Sequence, residues 1–229
     1  MKNRFFLSLF LLFTQITLWA QMNVDSLQNV FNSVDKKIEE RLEAGQSLAI
    51  YYLVSEPKKA MAYVNESLEI AEGEEFTEDR AYLKQIRGSV FFVVDDYPSA
   101  LNDYFDAQKL YFLAGDTLSG VNVNSDISNI YNAVKENDKA LEILVDFNAY
   151  HRKEDNRSYL ANGLVNIAGI YEEVGDYEQA LINCEEAIEI YKEDGDTEGV
   201  AYGNFVMGTI HESLDDYDKA TQAFKLALD

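Results

Sequence analysis

An alanine returns at a fixed interval through most of this chain: Ala60, Ala100, Ala140, Ala180 and Ala220, one every 40 residues. Other columns keep the same step. Ile50, Val90, Ile130, Ile170 and Ile210 form one; Val54, Val94, Val134, Val174 and Leu214 another; Tyr51, Phe91, Tyr131, Tyr171 and His211 a third. Five units in register, without insertion or deletion, exclude an ordinary globular topology and require a stack of like elements, each burying its apolar side against its neighbours. Within a unit the apolar residues recur at helical rather than alternating spacing, as Leu164, Ile167, Ala168, Ile170, Tyr171 and Val174 show, followed by Tyr177, Ala180, Leu181, Cys184, Ala187, Ile188 and Tyr191. Each unit is therefore two amphipathic helices joined by a tight turn, as at Gly175-Asp176. Small residues (Ala168, Ala180, Ala187) fall where two backbones must approach closely, and only two prolines interrupt the whole length.

Asp96-Tyr97, Asp176-Tyr177 and Asp216-Tyr217 mark the inner turn, with Gly88 and Gly208 at the close-packing position. This pattern resembles the tetratricopeptide (TPR) repeat, a helix-turn-helix unit of about 34 residues. The extra residues here lie between units, around Gly115-Asp116-Thr117 and Gly195-Asp196-Thr197, and predict helices longer by about a turn. Ser128 and Leu48, Asn137 and Pro57, and Phe147 and Ser67 depart from the pattern in units one and three. The resemblance implies an all-α fold, a right-handed α-solenoid of antiparallel helix pairs, with units at about 41–76, 77–116, 117–156, 157–196 and 197–229 inside a solenoid spanning 36–229.

Residues 1–20 carry Lys2 and Arg4, then the apolar run Phe5 to Phe13, and Ala20 precedes Gln21. That is the form of a secretory signal peptide, too short for an ordinary spanning helix, and predicts an exported, periplasmic or membrane-associated extracytoplasmic chain. Such a leader ahead of a TPR array is similar to exported bacterial proteins of Bacteroidetes type. Residues 21–35 form a capping region: Val24, Leu27, Val30, Phe31, Val34, Ile38 and Leu42 space a helix that Asp25-Ser26 can cap and that runs into unit one. Thr77, Thr117 and Thr197 are the N-cap candidates of the later first helices. Asp229 falls inside the last helix, and exported arrays of this kind are often followed by a membrane span and a signalling module, so the alternative reading is the sensory region of a longer histidine kinase or DNA-binding regulator.

Chemistry is sparse. His151 and His211 sit in aromatic packing columns, and Cys184 shares a column with Val64, Tyr104, Leu144 and Phe224, which predicts inert core positions. No ligand-spaced His/Cys/Asp set, phosphate loop or nucleophile elbow is present, so no catalytic residue, metal or cofactor is assigned. The net charge of −22 repels phosphate backbones, disfavours nucleic acid as partner of the repeats, and favours a neutral or basic protein or peptide. Membrane contact is expected only through an uncleaved leader or a further span.

By the resemblance, the first helix of each unit lines a concave groove. The groove positions here are Tyr82, Gln85, Ser89 and Phe92; Asn122, Ser125, Asp126, Asn129 and Asn132; Asn162, Asn166 and Glu172; and Tyr202, Phe205, Thr209 and Glu212. Asparagine both donates and accepts, and so can hold a bound backbone whatever its side chains. Asn129 and Asn166 are expected to point into the groove, between an apolar wall at Tyr82 and Phe92 and an acidic one at Glu172 and Glu212. The Lys/Arg clamp that some TPR domains use for a terminal carboxylate is missing from these positions.

Overall fold

The computed structural model describes residues 24–228, so the leader lies outside the described residues. The described elements are helices: α1 (Val24–Asn32), α2 (Ile38–Tyr52), α3 (Pro57–Ile70), α4 (Thr77–Val93), α5 (Tyr97–Ala114), α6 (Thr117–Ala133), α7 (Asn137–Lys153), α8 (Arg157–Val174), α9 (Tyr177–Asp194), α10 (Thr197–Ser213) and α11 (Tyr217–Leu226), with a 3₁₀ turn at Glu74–Phe76. Two compact units divide them, residues 1–130 and 131–229.

In unit 1, α1 packs through Leu27 and Phe31 onto a core shared with Leu48, Tyr52 and Val90, and Arg41 Nε donates to the Phe31 carbonyl at 2.9 Å. The helical spacing expected to run unbroken into unit one is interrupted here. α1 ends at Asn32 and Val34 is 83% exposed, because the chain turns at residues 33–37 to let both helices face one core. Hairpins α2/α3 and α4/α5 follow, and Pro57 occupies the first turn of α3, where its missing N–H costs nothing. In unit 2, α7 packs on α8, and α8/α9 and α10/α11 pair as hairpins. Ala140, Leu144, Ile167 and Ile170 make one of its cores.

The alanine column is buried throughout, from 0% exposed at Ala60, Ala100, Ala140 and Ala180 to 4% at Ala220. Gly88 and Gly208 are close-packing sites: a Cβ at either would lie 2.6 or 2.4 Å from the rings of Tyr104 and Phe224. The valine column is not core. Val54, Val94, Val134, Val174 and Leu214 are each about half exposed, since they stand at helix ends where the chain reverses.

The turns obey a shorter rule than the 40-residue repeat. Asp95, Gly115, Lys135, Asp155, Gly175, Gly195 and Asp215 all have positive φ, one every 20 residues. After each, a backbone N–H bonds five residues back, to the carbonyls of Phe91, Tyr111, Tyr131, His151, Tyr171, Tyr191 and His211, at 2.8–2.9 Å. This is the Schellman closure of a helix end. The next residue caps the following helix: Asp96, Asp116, Asp176, Asp196 and Asp216 accept from the backbone N–H three residues on. The cap is thus the aspartate before Thr117 and Thr197, not the threonine, because the carboxylate already meets the free N–H groups of the first turn. A 40-residue period is two 20-residue helix-and-turn modules, and each full-length helix from α4 onward has 17 or 18 residues.

Candidate interaction faces

The first helices meet directly within each unit, α2 with α4 and α8 with α10. Polar bonds stitch them. In unit 1, Gln46 Nε2 donates to Asp79 Oδ1 at 3.1 Å from α2 to α4, and Gln85 Nε2 donates to Asp126 Oδ2 at 2.7 Å from α4 to α6. In unit 2, Glu172 of α8 accepts from Thr209 Oγ1 at 3.3 Å and Ser213 Oγ at 2.9 Å, both on α10. Each contact joins side chains 33 to 41 residues apart and ends on an acidic acceptor. Gln85–Asp126 and Thr209–Glu172 join groove-column residues to one another, so part of the expected ligand-binding set is tied up in bonds between helices.

Second helices reach the same face from behind. Tyr111 of α5 donates to Gln85 Oε1 at 3.1 Å, and Tyr191 of α9 donates to Asn162 Oδ1 at 2.5 Å. Both phenols are buried, and desolvation raises them far above the ordinary tyrosine range. Both were legible as core aromatics, but their tethering role was not. The signal available was their shared step of 80 residues combined with a polar tip.

The remaining predicted residues are placed as follows. Tyr82 is half-buried, and desolvation raises its phenol. Ser89 donates to the Gln85 carbonyl and lies 3.1 Å from Tyr104 OH. Phe92 meets Tyr97 edge-on at 5.6 Å, beside the turn. Asn122 and Asn132 each bury a side-chain oxygen that has no hydrogen-bond partner. Asn129, Asn166 and Tyr202 are half-buried; Glu212 is exposed. Glu172 is 7% exposed and accepts a hydrogen bond on each oxygen, so it serves as a rib of the unit 2 face rather than an open acidic wall. Phe205 packs on Phe224 at 5.7 Å between centroids.

A second polar centre in unit 1 is structural. Asp103, 4% exposed, is forked by Arg87 (Nε to Oδ2 at 2.6 Å, Nη2 to Oδ1 at 2.8 Å) and reached by Lys84 at 3.2 Å. Its charge is compensated by geometry of the strong bidentate kind. Cys184 is fully buried; its thiol donates to the Gly203 carbonyl at 3.2 Å, and burial pushes it up to about 12, far from a reactive thiolate.

Residues 159–229 match the tetratricopeptide repeat family. No curated protein matches the sequence. Solved structures do. BtubC (BKLC) from P. vanneervenii superposes with a TM-score of 0.70 at 16% identity, covering 94% of this chain and 89% of that one. The apo form of RapI gives 0.69 at 15% identity, covering 96% and 95%. A Rap protein complexed with Competence and Sporulation Factor gives 0.73 at 18% identity, and there this chain covered over 90% of its length spans 57% of that protein. At such identities the likeness is one of fold. The chain is an all-α solenoid of TPR-like repeats, and the family match in its last third supports a tetratricopeptide-repeat protein.

Proposed function

We propose that this chain is an exported, non-catalytic scaffold that holds an extended segment of a neutral or basic protein partner against the inner faces of its first helices. The observation that carries this reading is the stitching of those faces by Gln85–Asp126 in unit 1 and Glu172–Thr209/Ser213 in unit 2. Side chains already fixed by neighbours lose little conformational entropy when a ligand arrives, so the faces are preorganised. A fold-level neighbour solved with a bound factor is consistent with that use of the architecture. Export rests on the leader, residues 1–20, and no helix among the described residues is long and apolar enough to cross a membrane.

The test begins with peptides selected from a random display library on the protein without its leader, titrated by calorimetry. A neutral hydrogen bond contributes roughly 0.5–1.5 kcal/mol net. Asn129→Ala in unit 1 and Asn166→Ala in unit 2 should therefore each weaken binding to its own face about two- to tenfold, while Glu189→Ala, exposed on second helix α9, leaves it unchanged. Equal affinity for the parent and all three variants would move the site off the inner faces.

A further inference from the structure

On α6, Asn122 and Asp126 stand one turn apart on the same side. Both are acceptors short of donors. Asp126 takes one hydrogen bond through Oδ2, from Gln85, and no lysine or arginine among the described residues pairs with it. Asn122 Oδ1 is buried with no partner. Asp103, the buried carboxylate of unit 1 (Asp126 is half-buried), shows how the same chain treats such a group when it is purely structural: two cations hold Asp103.

The surroundings of Asp126 offer no relief. From α4 it faces Gln85, with Tyr82 one turn away, and from α5 it faces Tyr104 and Tyr111; the charges that act on these phenols are Glu78, Asp103 and Asp116, and the cations beside Asp103, Lys84 and Arg87, are already paired with it. Burial pushes the Asp126 carboxyl up to about 6. An unpaired carboxylate in such a place costs stability until a cation arrives.

What would satisfy both acceptors is a group with several donors, no acceptor, a positive charge and a flat face to set against tyrosine. A guanidinium has all four properties. We propose that Asn122 and Asp126, with Gln85 steadied by Tyr111, form a subsite for an arginine side chain of the bound partner. This rests on the inner-face reading above and adds to it a residue preference: one guanidinium donor goes to the open oxygen of Asp126 and another to Asn122 Oδ1, with Tyr82 beside them. A strongly acidic chain draws such a partner from a distance.

The test uses the leaderless protein at pH 7.5 and three probes, N-acetyl-arginine amide, N-acetyl-lysine amide and N-acetyl-glutamine amide, followed by NMR at the side-chain amides of Gln85 and Asn122. The arginine probe should shift both signals saturably, the lysine probe more weakly, and the glutamine probe not at all. Asp126→Asn should weaken the arginine response about tenfold or more, the scale of a charge-assisted hydrogen bond. The same variant should melt higher than the parent, which separates lost binding from lost folding. Equal responses to arginine and glutamine, an unchanged response in Asp126→Asn, or silence at Gln85 and Asn122 would overturn the subsite. Selected peptides that bind through Asn129 or Asn166, yet ignore Asp126→Asn and need no arginine, would sink the subsite and leave the inner-face reading standing. An arginine response at Asp126, with peptides binding elsewhere, would do the reverse.

Discussion

His151 is the residue whose environment departs furthest from its chemistry. It has no solvent exposure, neither ring nitrogen has a partner, and it packs on Phe147 at 4.3 Å, Tyr150 at 5.2 Å and Tyr159, stacked at 4.9 Å. The reading of it as an aromatic stand-in holds, since a neutral imidazole fills the position that tyrosines hold at 111 and 191. Desolvation lowers it from 6.5 to about 4. For a base depressed on folding, the unfolded chain binds the proton more tightly. Stability is thus intact above about pH 6.5 and declines as pH falls toward 4. The loss attributable to this group is at most about 3 kcal/mol at the acid end. In chemical unfolding followed at pH 7, 5.5 and 4, His151→Phe should flatten the decline relative to the parent; parallel curves for the two proteins would mean the imidazole is solvated.

At the scale of the helix and its turn, the 40-residue period was legible and the 20-residue module was not. Side chains of first and second helices differ because they line different surfaces, so Ala100 and Ala140 obscure the likeness of the turns between them. The likeness resides in backbone angles and in hydrogen bonds to carbonyls, which residue identity records only where glycine stands, at 115, 175 and 195. Four of the turns place Asp95, Lys135, Asp155 or Asp215 in the same left-handed region. Asp95 and Asp215 accept from the hydroxyls of Tyr97 and Tyr217, at 3.0 and 2.8 Å, and Lys135 pairs with Glu173 at 2.8 Å. An L-residue there costs roughly 1–2 kcal/mol against glycine, less for aspartate. Asp155→Gly should accordingly raise the stability of unit 2 by about 0.5–1 kcal/mol, read as a higher melting temperature. A lower melting temperature would show that this turn does not follow the rule of its neighbours. The groove positions follow from the resemblance and the register together, and the structure joins Gln85 to Asp126 and Thr209 to Glu172 among them. Their mutual bonds were not legible: which side chain meets Glu172 depends on helix separation and on residues 37 and 41 positions away.

Across the whole molecule, charge and surface set the remaining question. A formal charge of −22 is spread over exposed helix faces, and the cations present are largely spent in local pairs such as Arg157 with Glu193 and Asp194. The second helices expose apolar side chains of their own, Leu113 at 75% and Ile182 at 49%, and these mark the surface that competes with the inner faces for a partner. Site-specific photocrosslinking decides between them. With benzophenone side chains at Asn129 or Tyr202 on first helices, and at Leu113 or Ile182 on second helices, a selected peptide should crosslink from positions 129 or 202 and not from 113 or 182. Crosslinks confined to Leu113 and Ile182 would contradict the account.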